Sequence, residues 1–332
     1  MEVVRTMTLE CSKVLVLGGA GFIGSFVVSE LLKEPVGQVV VYDNFTRGKR
    51  EYLSAQLQDP RCSIFPIGGD IRDLDILDTA MAGMDYVVCL SAMWLLHCKD
   101  YPRTAFEVNV AGTFNVLEAC VKHKIKKLVW SSSASVYGDA VELPMTESHP
   151  LNNRNFYGAT KIAGEAMCTA MHERYGLSII GLRYMNVYGP HQDQTAAYTG
   201  VVPIMLNKIE ANEPPVINGD GSQAYDFIYV EDTARCNVAA LKSDVSFGMY
   251  NVGTEVQTSI RELCQLILEL KSSDLQVVYR PYSDADARAL VQNRIGSRKK
   301  AEEELGFRYR YSLREGLLKL IEWRRESGVD RP

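Results

Sequence analysis

The apolar positions in the first half of the chain come in short unbroken runs, separated by stretches of helical period. Val14–Leu17, Val39–Tyr42, Cys62–Ile67, Tyr86–Leu90, Lys127–Ser131 and Ile179–Tyr184 read as strands. Runs without polar alternation suit strands covered on both faces, as parallel sheets require. Between them apolar residues recur every three or four places, predicting helices over Phe22–Lys33, Asp73–Ala80, Ala105–His123 and Phe156–Tyr175. Strict alternation of the two predicts an α/β fold, a doubly wound parallel sheet of Rossmann type with helices on both faces.

After Tyr184 the pattern breaks. MNVYGPHQDQTAAYTG has no period and reads as a loop. A helix is predicted near Val202–Glu210, then a break at Pro214 and Pro215, a short strand and the turn Asn218-Gly219-Asp220-Gly221. DFIYVEDTARCNVAALKS predicts a strand end and a helix, and Met249–Val252 a further strand. Ser259–Leu270, capped by Ser259 or Thr258, and Ser312–Arg325 read as amphipathic helices. The expected organisation is a dinucleotide-binding domain over residues 1–185 with 226–258 contributing. A smaller interleaved α/β substrate-binding lobe would comprise 186–225 and 259–332.

Composition narrows the function. With 46% hydrophobic and 23% charged residues in 332, the chain is an ordinary globular one. A formal charge of −5 gives no basic footprint for nucleic acid or an anionic membrane. No apolar run approaches the roughly 18 residues of a membrane span, and MEVVRTMTLECS lacks a signal core. Eight cysteines without a C-x-x-C pair predict free thiols, no metal site and a cytoplasmic location.

The first candidate site is KVLVLGGAGFIG. A strand runs into Gly18, Gly21 and Gly24, and a helix opens at Phe22 and Ile23. Gly18 suits the tight turn, Gly21 a close approach of diphosphate to backbone, and Gly24 the packing of helix on strand. Asp43 ends the second strand nineteen residues beyond Gly24, where a carboxylate can accept the hydroxyls of an adenosine ribose. Together these predict a dinucleotide site. Asp43 favours NAD over NADP; Arg47, Lys49 and Arg50 are close enough to neutralise a 2′-phosphate or merely to be solvated. Other residues at the carboxyl edge join the candidate set: Asn44, Thr46, Arg47 and Gly48 after the second strand, Asp70 and Ile71 after the third, and Leu90, Ser91 and Ala92 after the fourth. Asn109, polar on an apolar helix, is either a ligand or a satisfied core amide.

The second candidate is Tyr157-Gly-Ala-Thr-Lys161 at the start of a helix, where residues four apart share a face. A free phenol titrates near 10. An adjacent ammonium and an oxidised nicotinamide would favour phenolate, letting Tyr157 take a hydroxyl proton while Lys161 holds the ribose. Ser131-Ser132-Ser133-Ala134-Ser135 leaves the fifth strand at the same edge and offers a hydroxyl to share that hydrogen bond.

GGAGFIG, YDN, GDIRD, SSSASVYG, YGATK, RYMNVYGP and GDGSQAYDFIYVED together resemble the extended short-chain dehydrogenase/reductase superfamily. Within it, the match is to the NAD-dependent nucleotide-sugar epimerase/dehydratase family, over nearly the whole chain. The resemblance implies an enzyme with NAD bound, a nucleotide-diphosphate sugar substrate such as a UDP-hexose, and a homodimer built on the helices Ala105–His123 and Phe156–Tyr175. It makes Ser133, Tyr157 and Lys161 catalytic, puts Ser131 and Tyr184 at the nicotinamide, and sets Trp94, Asn186 and Val201 toward the substrate. Dehydratases of the family carry an Asp-Glu pair directly after the catalytic hydroxyl, and decarboxylases that make UDP-xylose a Glu where Ser135 stands. Here Ala134 and Ser135 stand there, which favours simple 4-epimerisation through a transient 4-keto sugar. Tyr225 replaces the arginine that usually reaches the substrate diphosphate, leaving Arg280 or Arg288 as the expected substitute.

Overall fold

In the computed structural model, residues 7–193, 200–282 and 291–328 are described. Seven strands form one parallel sheet: β1 (Lys13–Leu17), β2 (Gln38–Tyr42), β3 (Cys62–Ile64), β4 (Tyr86–Cys89), β5 (Lys127–Ser133), β6 (Ile179–Tyr184) and, much later, β10 (Phe247–Val252). Their order is β10-β6-β5-β4-β1-β2-β3. The order reverses between β1 and β4, and beyond the carboxyl ends of those two strands a crevice must open. Val14 to Leu17, Val39 to Tyr42 and Tyr86 to Cys89 are all buried, as unbroken apolar runs require.

Helices cover both faces. They are α1 (Phe22–Leu32), α2 (Leu74–Met81), α3 (Leu95–Asp100), α4 (Pro102–Phe106), α5 (Gly112–Lys122), α6 (Phe156–Tyr175) and α8 (Val230–Lys242). Between α4 and α5 the chain winds through one wide π-type turn, Glu107–Ala111. Such turns re-aim side chains and recur at functional sites. Asn155 caps α6 by accepting from Gly158 N, and Gly176 ends the helix with φ +68°.

The lobe holds a second sheet. β7 (Asn186–Tyr188) pairs in parallel with β9 (Ala224–Tyr229), which also carries β11 (Gln257–Ser259) and β13 (Asn293–Arg294). β8 (Val216–Asn218) pairs separately with β12 (Val278–Arg280). α7 (Val201–Glu210), α9 (Ile260–Leu270) and the helix Leu313–Ser327 pack on them around Leu206, Leu263, Ile267 and Leu317. Two expectations change. Asn186–Tyr188 is a strand, not a loop, because Tyr188 is buried and its hydroxyl donates to Leu313 O at 3.2 Å. The boundary expected at 226 falls inside β9. α8 and β10 then return the chain to the main sheet.

Candidate active site

Gly18 turns the chain with φ +78°, and a side chain there would stand 2.9 Å from Ser91 N. The turn is therefore seated against the exit of β4. At Gly24 a side chain would lie 2.1 Å from Gly18 O, so only glycine lets α1 start so close to β1. A side chain on Gly21 would meet nothing nearer than Gly18 O at 3.2 Å, and α1 has no side-chain cap and no acid in its first turn. This leaves an open cradle of free N–H groups at a positive helix end, and it fits a dinucleotide diphosphate.

Asp43 is buried beside it. One carboxylate oxygen accepts from Ala20 N at 2.9 Å and the other from Phe45 N at 2.8 Å. Burial raises its pKa and these N–H groups oppose the rise. Asn44 folds back to accept from Thr46 N, and Gly48 packs on Ala20. Asp70 is held as an anion by a fork from Arg72, which puts its pKa below the usual range. Ile71 is buried and its carbonyl accepts from Asn115, which leaves it little part in ligand contact. Leu90, Ser91 and Ala92, half-buried, form the exit of β4.

Asn109 takes the second of its two readings, a satisfied core amide. From the wide turn, its amide takes Met93 N (2.7 Å), gives to Met93 O (2.8 Å) and gives to Thr160 Oγ1 (3.1 Å). It is a buried pin for the loop between β4 and α3, and its amide is spent on that loop and on α6. That loop presents Trp94. The Arg47 guanidinium lies 4.7 Å over the indole and pairs with Asp193 at 3.0 Å. The indole N–H is buried without a partner.

The proton-handling groups meet at the carboxyl end of β5. The Ser133 hydroxyl faces the Tyr157 phenol and caps the next turn by accepting from Ser135 N at 3.1 Å. Burial pushes the phenol up to about 12, with the Ser133 hydroxyl acting against it. Lys161 is buried, its Nζ donating to Ser131 O at 2.6 Å and lying 5.7 Å from the Tyr157 ring centre. Burial lowers its pKa to about 8. The Tyr184 ring comes near Tyr157, with its hydroxyl given to Asn237 at 2.9 Å.

The model of the NAD dependent epimerase/dehydratase family matches residues 14–253. The chain belongs to this family. It is 33% identical over 320 residues to a putative UDP-glucose 4-epimerase of Methanocaldococcus jannaschii, covering 95% of this chain and 99% of that one. It is 32% identical over 330 residues to a UDP-N-acetyl-alpha-D-glucosaminuronate decarboxylase of Bacillus cytotoxicus, covering 95% and 98%. A solved UDP-N-acetylglucosamine 4-epimerase from Methanobrevibacter ruminantium, in complex with UDP-N-acetylmuramic acid, matches at a TM-score of 0.88 and 30% identity, over 97% of this chain and 100% of that one. The protein is thus an NAD-dependent enzyme, and the glycine cradle has the shape and polarity that the diphosphate of that cofactor needs.

On the substrate side the family member departs from expectation. Asn186 and Val201 open β7 and α7, both half-buried. Arg280 stands exposed on β12, in the separate two-stranded sheet. Arg288 lies outside the described residues. Tyr225 gives its hydroxyl to Val291 O at 2.8 Å. Sequence reasoning missed Arg294, which sits opposite Tyr225 in register on β13. Its Nε is buried and has no partner among the described residues, and burial lowers its pKa while Tyr225 and Asp139 oppose that. The one signal available was a lone cation flanked by Val291 and Ile295.

Proposed function

We propose that the protein interconverts UDP-hexoses that differ at C4, of the glucose/galactose or glucuronate type. The observation that carries this is the chemistry beside Ser133. Ala134 and Ser135 are buried with no carboxylate between them, so the proton machinery at the catalytic hydroxyl is Tyr157, Ser133 and Lys161. Dehydration or decarboxylation calls for a further acid–base group at the sugar. NAD, when bound in the glycine cradle, supplies the hydride acceptor and donor. The chain's own part is the proton. Tyr157, as phenolate, takes it from the C4 hydroxyl and, once the ketose has turned its other face toward the hydride donor, returns it to the C4 oxygen, while Ser133 shares the hydrogen bond. Arg294 supplies the positive charge for the diphosphate in place of the missing arginine at 225, a half-buried guanidinium being suited to bidentate phosphate recognition.

The reading extends to a homodimer. On α6, Ala166 and Ala170 are exposed and Ala163, Met167 and Met171 only half-covered, while Lys161, Gly164 and Cys168 face inward. Phe114 on α5 is 42% exposed. This stripe suits pairing with a second copy.

The test is incubation with UDP-glucose, UDP-N-acetylglucosamine and UDP-glucuronate without added cofactor. A C4 epimer is expected from at least one. A stable 4-keto-6-deoxy sugar, or CO₂ without an epimer, would overturn the proposal.

A further inference from the structure

Lys161 has to stay charged in a place that penalises charge. It is 3% exposed, and one of its three N–H donors is satisfied by Ser131 O. The groups facing it are Tyr157, Glu165 and Cys168 on its own helix, Cys89 on β4, Cys98 on α3 and the carbonyl of Ser131 on β5. The thiols are neutral, since burial raises the pKa of each. Glu165, one turn along, is already engaged. Arg183 grips both its oxygens at 2.9 and 2.7 Å, and Ser132 gives to one at 2.5 Å.

What remains is the face of Trp130. Its ring centre lies 4.9 Å from Lys161 Nζ, and the residue is 1% exposed. An aromatic face attracts a desolvated ammonium. It does so differently from a carboxylate. A counter-charge would cancel the field of the ammonium at the phenol, whereas a ring quadrupole acts at contact and leaves the net charge in place. Gly164 makes the contact possible. It lies three residues after Lys161, and a side chain there would stand 2.3 Å from the indole Cζ2.

We infer that Trp130 is a positioning residue for the proton chemistry: its indole face keeps Lys161 in the ammonium form, and Gly164 keeps the indole against it. The inference rests on the reading of Lys161 and Tyr157 given above. Replacing one π-face by a weaker one should therefore move the titration of Lys161, and with it that of Tyr157.

The experiment uses the full-length protein with NAD bound. Tryptophan at 130 alone is replaced by mono- to tetrafluorinated tryptophans, which weaken the face while keeping the shape. The Lys161 amine is titrated by carbon NMR of ε-labelled lysine, its signal assigned by its loss in Lys161→Arg. The pKa should fall stepwise along the series, by about one pH unit at the end. An unchanged value across the series would overturn the inference. This titration needs no substrate, so absence of turnover with nucleotide sugars would sink the proposed function and leave this result standing.

Where turnover is present, the rising limb of the pH–rate profile should move up and the falling limb down, narrowing the bell. Trp130→Phe should narrow it less than Trp130→Leu or Gly164→Ala. A Trp130 that only fills space would lower the rate at every pH without moving either limb, and that result too would overturn the inference. Should the leucine variant fail to fold, the fluorinated series decides alone.

Discussion

Lys161, buried in the sheet half, and Arg294, half-buried in the lobe, differ in what the chain provides for them. Lys161, in the sheet half, has a carbonyl and an indole face. Arg294, in the lobe, keeps a buried Nε–H with no partner among the described residues. Arg183 shows the third case, with Glu165, the Tyr137 hydroxyl and Glu147 O all bonded to it. A fully bonded cation is structural. One supported by neutral groups keeps its charge for a neighbouring side chain. One left open is set for an anion that arrives from outside, because an unsatisfied buried donor costs free energy until it is met.

The sharpest way to break this comparison is Tyr157→Phe. Loss of the phenol should cut kcat by about 10³-fold or more, with dinucleotide still co-purifying. Residual turnover near wild type would remove the proton site from the sheet half. Next in size, Arg294→Ala should raise KM for the nucleotide sugar by about 10- to 100-fold, as losing a hydrogen bond to a charged group would, and lower kcat much less. A fall in kcat with KM unmoved would place Arg294 with Lys161 instead.

Asp43→Asn should weaken NAD binding by roughly tenfold and narrow the preference over NADP, since one charge is removed beside the ribose. A competition titration reads both effects. The smallest effect concerns the seam between the halves. His191 stacks on Tyr52 with ring centres 4.1 Å apart and meets Ser25 Oγ through Nδ1 at 2.9 Å. Burial pulls its pKa down to about 4 from the ordinary 6.5. Because the folded value is depressed, its contribution to stability is whole above about pH 6.5 and drains away as pH falls toward 4. Melting curves of wild type should drop more steeply over that window than those of His191→Gln. Parallel curves would clear His191 of the effect.

Most of the sheet half was legible in the sequence because its signals are local. The strands β1, β2 and β4 are built on unbroken apolar runs, the turn at Gly18 has a φ that few other residues tolerate, and Tyr157 and Lys161 share a helix face by spacing alone. What escaped depends on contacts between distant segments. Asn109 looked equally like a ligand and a core amide, and only the fold of the loop at Met93 decides it. Arg280 and Arg294 are equally plausible by type. What separates them is strand pairing, β12 with the outlying β8 and β13 with β9. β7 is three residues long, too short for any period to register. Trp130 read as one more apolar residue in a strand, since a cation over its face leaves no mark in the chain.

Met185 is the single residue between the last position of β6 and the first of β7. It is buried, its N–H donates to Val252 O at 3.0 Å, and its side chain fills the space beside Gly253 and Gly296. A joint this short, locked on both sides, is a weld and not a hinge. Sugar nucleotides must therefore enter by rearrangement of surface segments around a rigid frame, and changes in which sugar is accepted will accumulate in those segments while the frame stays as it is.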